Sequence, residues 1–245
     1  MHRPVALWSD APRKSMATYV LIHGSYQGSW IWKLVAPQLI AAGHEVYRPT
    51  LDGSAERKGS LRREITLKSV GQEIANLFFY EDLHDVVFVG TSSGGMVVAE
   101  AAEHVPDRIR RLIFIDALVP LPGETVATIN NRPPYDRSEL VYGLRPEETR
   151  GRIFEDLPAD LQDWALARYT RQPLAVVDEP VDLHEFWSRT WQVDVLRCSR
   201  GALPPQVHQQ RTAEKLGGAY SEIDADHYPM LSHPDEIATY LLERQ

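Results

Sequence analysis

A strand, a sharp turn and a helix are predicted in immediate succession at residues 86–102, and no other feature constrains the fold as strongly. Residues 86–89 (VVFV) have the apolar, β-branched pattern of a buried strand, and residues 96–102 have an apolar helical pattern. Between them lies GTSSG, residues 90–94, whose glycines let the backbone turn within a few residues. We therefore expect Ser92 at the apex of the turn, at the carboxyl edge of a parallel sheet, with its hydroxyl exposed.

Two further segments have the arrangement that a nucleophilic serine needs. Residues 19–25 (YVLIHGS) predict a strand that runs into a His-Gly loop. In acyl-transfer enzymes such a loop gives one backbone N–H to the oxyanion hole, and the residue after the nucleophile gives the other; here these are Ser25 and Ser93. His227 follows the predicted last strand and can take the Ser92 proton and return it to a leaving group. This order of segments predicts a serine hydrolase.

From Thr18 to its C-terminus the chain resembles α/β-hydrolases, in particular the small esterase branch with plant methylesterases, hydroxynitrile lyases and bacterial relatives. The residues that carry the resemblance are the turn described above and the segments HGSYQGSWIW (23–32), IDALVP (115–120) and HYPM (227–230). It implies an α/β-hydrolase fold, with a mostly parallel central sheet, flanking helices and a small helical lid. It also implies cleavage of a small carboxylic ester or lactone through an acyl-enzyme, with no cofactor and no metal.

The alternation of short apolar runs with helical patterns predicts one α/β core made of residues 16–118 and 190–245. Residues 1–15 are predicted to be an N-terminal extension. We predict strands near residues 19–23, 45–48, 86–90, 111–116, 193–198 and 219–223. We predict helices near residues 29–42, 66–80, 94–105, 205–216 and 234–243.

A proline-rich and aromatic stretch interrupts this alternation, and we predict a lid over residues 119–189. Short helical patterns within it indicate a small helical cap. Its aromatic side chains can line an apolar pocket, and Trp164 and Trp187 are predicted to contact the substrate. Gly24 and Tyr26, which flank the predicted oxyanion residue, are predicted substrate contacts as well.

The acid that orients the histidine is absent from its usual place. Relatives usually carry an aspartate two or three residues after the position of Cys198. In this chain residues 198–205 are CSRGALPP, which include no acid. Asp116 is the best substitute, because it ends the predicted strand beside that of the serine, as in dehalogenases and certain lactone hydrolases. Two alternatives stay open: a dyad in which no carboxylate or only water contacts His227, and an acid supplied by Asp224 or Asp226.

The net charge of the chain restricts its possible partners, and its cysteine content indicates a cellular compartment. A net charge of −8 and an isoelectric point near 5.6 argue against nucleic acid or an anionic membrane as partner. The single cysteine, Cys198, excludes an internal disulfide, so we expect a cytoplasmic protein. No apolar stretch approaches the length of a membrane span, and a small molecule is the expected partner. Whether the protein forms a homodimer stays open.

Three other functions are compatible with this fold. In the related hydroxynitrile lyases a threonine replaces Gly24 and a lysine follows the histidine, whereas this chain has Tyr228 there. Cofactor-free oxygenases use a His–Asp pair with the aspartate in the position of Asp116. A small-molecule binder with weak or no catalysis would have an incomplete set of catalytic groups.

Overall fold

The structure is a computed structural model that describes residues 16–245, so the predicted extension over residues 1–15 lies outside the described residues. The strands are β1 (Thr18–Ile22), β2 (Glu45–Tyr47), β3 (Val86–Ser92), β4 (Ile109–Ala117), β5 (Val141–Tyr142), β6 (Gln172–Pro173), β7 (Val193–Cys198) and β8 (Ala219–Ile223). The main sheet has the order β2–β1–β3–β4–β7–β8, and all of its pairs are parallel. Strands β5 and β6 form a separate antiparallel pair.

The helices are α1 (Ala36–Ala41), α2 (Leu67–Tyr80), α3 (Gly94–His104), α4 (Val126–Ile129), α5 (Ala159–Leu166), α6 (Ala175–Asp178), α7 (His184–Ser188), α8 (Gln206–Leu216), α9 (Pro229–Ser232) and α10 (Pro234–Leu242). The predicted helix near 29–42 is split into a 3-10 turn, Ser29–Trp32, and α1. None of the helices within residues 16–245 is long and apolar enough to cross a membrane.

The sheet is covered by helices on both faces because its strands are apolar on both faces. Along β1, Val20 and Ile22 join the core that includes α2 and α3, whereas Tyr19 and Leu21 join the core that includes α1 and α10. All four side chains are fully buried. A parallel sheet buried in this way requires near-continuous hydrophobic runs, which is why its strands could be located from sequence. The predicted parallel sheet flanked by helices is confirmed.

Strand β3 ends in a conformation that projects Ser92 out of the sheet. Ser92 has a φ of +53°, in the left-handed region that a side chain rarely adopts. Gly94 makes the turn possible, because a Cβ there would lie 2.6 Å from the carbonyl oxygen of His23. Leu118 N–H donates to the Ser92 carbonyl at 2.9 Å, which ties the turn to the chain after β4.

Asp116 leaves the neighbouring strand in a similar way. In the register of β3 against β4, Thr91 pairs with Ile115 and Ser92 pairs with Ala117, so Asp116 is an extra residue on β4. It too is left-handed, with a φ of +43°. A bulge of this kind re-aims a side chain at the edge of a sheet.

The chain between β4 and β7, residues 118–192, forms an insertion of short elements over the carboxyl edge of the sheet. It contains α4 to α7 and the β5–β6 pair. Tyr142 on β5 and Leu174, which follows β6, belong to the same hydrophobic core as α2 and α3. The domain boundary of the lid at residues 119–189 stays a prediction.

Candidate active site

Ser92, His227 and Asp116 form one hydrogen-bonded chain at the carboxyl edge of the sheet. His227 Nε2 lies 3.0 Å from Ser92 Oγ, and His227 Nδ1 lies 2.6 Å from Asp116 Oδ2. A ring that donates from Nδ1 to the carboxylate has its Nε2 free to accept the serine proton. The three residues come from β3, from the bulge of β4 and from the loop after β8, so only the fold brings them together.

Asp116 is held by two further donors that the sequence did not reveal. Its Oδ1 accepts from Gln209 Nε2 at 2.7 Å and from the backbone N–H of Cys198 at 3.2 Å. The carboxylate is fully buried, and Gln209, on α8, is fully buried as well. Gln209 also donates to the carbonyl of Pro204 at 3.1 Å, which fixes its amide. Because Oδ1 has its own two donors, Oδ2 is left for His227.

The other carboxylates considered from sequence are placed differently. The side chain of Asp224 is 85% exposed and lies 3.8 Å from Arg200. Asp226 accepts from the backbone N–H of His227 at 2.8 Å, so it holds the main chain of the loop. Neither contact involves the imidazole of His227.

The predicted oxyanion residues meet beside the serine. Ser25 Oγ lies 2.7 Å from Ser93 Oγ, and it also hydrogen-bonds the hydroxyl of Tyr142 from the insertion. Ser25 and Ser93 are buried. This contact joins the loop after β1 to the first turn of α3, which is the juxtaposition that two backbone donors need to share one oxyanion.

Buried polar side chains fix the loop that carries Gly24 and Ser25. Gly24 N–H donates to Gln27 Oε1 at 3.0 Å, and His23 Nδ1 lies 2.8 Å from the Gly24 carbonyl. His23 Nε2 accepts from the backbone N–H of Leu51 at 3.0 Å. The ring is therefore neutral, and burial lowers the pKa of His23 from 6.5 to about 4.

A pocket of about 180 Å³ opens above Ser92. It is small beside the roughly 300–1,000 Å³ of typical ligand pockets. Its lining combines apolar and phenolic groups with few charges: Ser25, Tyr26, Ser92, Leu118, Val126, Asn130, Arg132, Tyr135, Tyr142, Leu203, Pro204, His227 and Tyr228. Tyr26 is thus at the predicted place, and Gly24 lies against the serine, since a Cβ on it would overlap the Ser92 Cβ.

The structure does not bring Trp164 or Trp187 to this pocket, contrary to the sequence-based expectation. Trp164 packs edge-on against Trp30 and under the guanidinium of Arg168. Trp187 donates from its indole N–H to the carbonyl of Pro120 at 2.8 Å. Trp164 thus packs the insertion against the core through Trp30, Trp187 closes a hydrogen bond within the insertion, and tyrosines line the pocket instead.

The sequence did not single out Asn130, Arg132, Tyr135 or Tyr142. Short strands and single-turn helices have no periodic pattern, so the sequence could not indicate which side chains of the insertion face Ser92.

Cys198 is buried, and burial raises the pKa of its thiol, which fits the expected structural role. Within residues 16–245, no group of three His, Cys, Asp or Glu side chains could hold a metal ion.

The buried histidines make the stability of this fold sensitive to acid. Burial, with the charge of Arg211, also lowers the pKa of His208 to about 4, and its Nε2 accepts from Val119 N–H at 3.0 Å. As the pH falls below 6.5, His23 and His208 become protonated in the unfolded chain but stay neutral in the folded chain. The free energy of unfolding therefore decreases until about pH 4, where the folded chain binds the same protons. We expect a loss of roughly 2 kcal/mol per histidine between pH 6.5 and 5.

Urea unfolding at pH 7, 6 and 5 measures this loss. His208→Gln can keep an acceptor for Val119 N–H, and it should flatten the pH dependence because one titrating group is gone. A free energy of unfolding that is unchanged between pH 7 and pH 5 would contradict the prediction.

Comparison with known proteins finds distant relatives that span most of this chain. Among curated proteins, a carbendazim-hydrolyzing esterase of Nocardioides sp. (strain SG-4G) is 28% identical over 238 residues, which cover 92% of this chain and 98% of that protein. Methylesterase 7 of Arabidopsis thaliana is 26% identical over 265 residues, covering 94% and 97%. These distant relatives are esterases, and they indicate a hydrolase.

The fold also agrees with a solved structure. An extracellular alpha/beta-hydrolase from a Paenibacillus species superposes with a TM-score of 0.79 at 24% identity, covering 93% of this chain and 98% of that one. A model of the alpha/beta hydrolase family matches residues 19–240, nearly all of the chain that the structure describes. This protein therefore belongs to the alpha/beta hydrolase family.

Proposed function

We propose that the protein hydrolyses small carboxylic esters or lactones through an acyl-enzyme formed on Ser92. The observation that carries the proposal is the chain of hydrogen bonds from Ser92 Oγ to His227 and on to the buried Asp116, at 3.0 and 2.6 Å. A serine is a weak nucleophile until a base accepts its proton, and a base needs a group that fixes its tautomer. All three groups are in contact before any substrate binds.

In acylation, His227 Nε2 takes the Ser92 proton while Oγ attacks the carbonyl carbon of the ester. The negative charge that develops on the carbonyl oxygen is received by the backbone N–H groups of Ser25 and Ser93. The protonated ring then gives its proton to the departing alkoxide. In deacylation a water molecule attacks the acyl group by the same route, and Ser92 recovers its proton.

Asp116 acts on the histidine in two ways. Its Oδ2 accepts from Nδ1–H and so keeps the lone pair on Nε2, and its charge stabilises the imidazolium formed in each half-reaction. The bonds from Gln209 and Cys198 hold the carboxylate rigidly, so it does not have to reorganise during the reaction.

The size of the pocket and the similar esterases support a small substrate. About 180 Å³ accommodates a compact acyl or alcohol group, and the pocket walls are mostly apolar and phenolic. The loop beside Ser92 does not favour a hydroxynitrile lyase, because a side chain at Gly24 would overlap Ser92 and residue 228 is a tyrosine rather than a lysine.

An active-site label tests the proposal. A fluorophosphonate should modify one residue per chain, Ser92, because this hydroxyl contacts the histidine base. Ser92→Ala should take up no label and should lose ester turnover, whereas Ser93→Ala, its neighbour in sequence, should still be labelled. Peptide mapping after digestion identifies the modified residue, and labelling that persists in Ser92→Ala would overturn the assignment.

Oxygen consumption distinguishes the oxygenase alternative from the proposed hydrolase. It would consume oxygen with a hydroxyquinolone and would leave chromogenic esters intact. Ester cleavage without oxygen uptake, in protein whose Ser92 can be labelled, supports the hydrolase.

A further inference from the structure

Among the described residues, a single permanent charge lines the pocket. Arg132 is the only arginine or lysine among the lining residues, and no aspartate or glutamate is among them. The remaining walls are mostly tyrosine, leucine, valine and proline side chains. A carboxylic ester is neutral and needs no such cation, so the proposed reaction leaves Arg132 without a role.

The guanidinium of Arg132 has no acidic partner among the residues that the structure describes. Three other arginines of the insertion are paired with carboxylates, Arg137 with Asp178, Arg150 with Asp163 and Arg171 with Glu139, and the other arginines of the insertion do not line the pocket. Within residues 16–245, no carboxylate lies within ion-pairing distance of Arg132. In a chain of net charge −8, an unpaired arginine at the pocket is available to an external anion.

The main chain places Arg132 at the pocket and holds it there. Arg132 N–H donates to the carbonyl of Ala127 at 2.9 Å, which closes the end of α4, and Asn131 is left-handed with a φ of +49°. Pro133 and Pro134 follow and restrict the backbone further. The side chain itself is exposed, so it can move onto a ligand without losing an internal bond.

The positive charge reaches the aromatic wall. Burial raises the pKa of Tyr135 and of Tyr26, and Arg132 opposes the rise at both hydroxyls. Both tyrosines line the pocket with Ser92. An anion that occupies this space would therefore lie within the field of Arg132 and beside phenolic donors.

We propose that Arg132 selects substrates that carry a carboxylate in addition to the scissile ester, such as half-esters of short dicarboxylic acids. A guanidinium offers paired N–H donors that match both oxygens of a carboxylate. Binding this group at the mouth of the pocket holds the ester over Ser92. The inference rests on the proposed esterase function and assigns its substrate class.

Turnover of matched esters tests the inference. The probes are the monomethyl esters of succinic, glutaric and adipic acids, each compared with its neutral dimethyl ester. The wild-type protein should prefer at least one monoester, and Arg132→Gln should lower kcat/KM for that monoester by about tenfold, mainly through KM. The dimethyl ester should change by less than about twofold, since it lacks the charge. Arg132→Lys should keep part of the preference.

Arg189→Gln is the matched control, because Arg189 is exposed and lines a different cleft with Pro106 and Arg110. It removes one positive charge and should leave both esters unaffected. An equal fall for monoester and dimethyl ester in Arg132→Gln, or no preference for any monoester, would overturn the inference while the esterase function stood.

Binding measured without turnover separates the two proposals. Calorimetric titration of each of the three monoesters into Ser92→Ala should give, for at least one of them, a dissociation constant that increases about tenfold in Ser92→Ala/Arg132→Gln. If the wild-type protein cleaved no ester, the proposed function would fail, and this titration would still decide whether Arg132 binds the carboxylate. Equal dissociation constants would overturn the inference by themselves.

Discussion

Asp116→Asn should preserve the fold and lower kcat by about 10⁴-fold, the scale of the same exchange in a serine-protease triad. The surroundings of the carboxylate determine how the new amide is oriented. Gln209 and Cys198 both donate to the Oδ1 position, so the amide oxygen stays there and the NH₂ group occupies the position that faces His227. The ring must then accept at Nδ1 and carry its proton on Nε2, where it cannot take the proton of Ser92.

The measurement is kcat and KM with a chromogenic ester, accompanied by a thermal unfolding curve. Asp224→Asn is the matched control, because it makes the same exchange at an exposed residue that lies 3.8 Å from Arg200 and away from the imidazole. It should retain activity within about twofold, as most exposed substitutions do. If Asp116→Asn kept wild-type activity, a serine–histidine dyad would replace the proposed triad.

The sheet and the serine turn were predictable because their signals are local. The apolar run of β3 and the glycines of GTSSG lie within nine residues of each other, and each has a direct conformational consequence. The strand predicted at 86–90 extends to Ser92 in the structure, because the pairing of β3 with β4 continues past Thr91 to the bulge. Asp116 was inferred to replace the usual acid of the triad because it lies at the carboxyl end of β4, the strand next to β3, which carries Ser92.

The sequence could not predict groups that depend on packing between distant elements. Gln209 lies on a predominantly polar helix, and its contact with Asp116 exists only because α8 packs against β7. Gly201 also lies close to Asp116 only in the packed fold, where a Cβ on it would lie 3.0 Å from Asp116 Oδ2. Position 201, which lies in the segment where the resemblance implies an acid, is therefore adjacent to the carboxylate that this chain supplies from β4.

The insertion was predicted as a region, but its inward-facing residues were not. The sequence does not show which aromatic side chains of the insertion face the site. In the structure Trp164 stacks under Arg168, whereas Tyr142 hydrogen-bonds Ser25. Tyr142 is on a two-residue strand whose partner, Gln172–Pro173, lies thirty residues later in the chain. Such a pairing gives no period that a sequence window could detect.

Gly24→Ala should lower kcat/KM by about 10²-fold or more, since displacing a reacting group by about 1 Å is enough for such a loss. The added Cβ would overlap the Ser92 Cβ and lie 3.0 Å from the carbonyl oxygen of Thr91, so either the loop or the serine must move. The loop is restrained by Gln27 and His23, which bond the Gly24 N–H and carbonyl. The clash therefore falls on Ser92 and on the neighbouring oxyanion donor.

Gly59→Ala is the control for adding a methyl group, because nothing lies within 4 Å of the corresponding Cβ and the residue is exposed. It should change neither activity nor stability appreciably. Gly24→Ala should also lower the unfolding free energy by about 1–3 kcal/mol, the usual cost of overpacking. Fluorophosphonate labelling rates of the two variants distinguish a displaced serine from a lost binding contact, because the small reagent reports the reactivity of Ser92 directly. Wild-type labelling and turnover in a folded Gly24→Ala protein would show that the loop has room to retreat, and that its close approach to Ser92 is not needed for catalysis.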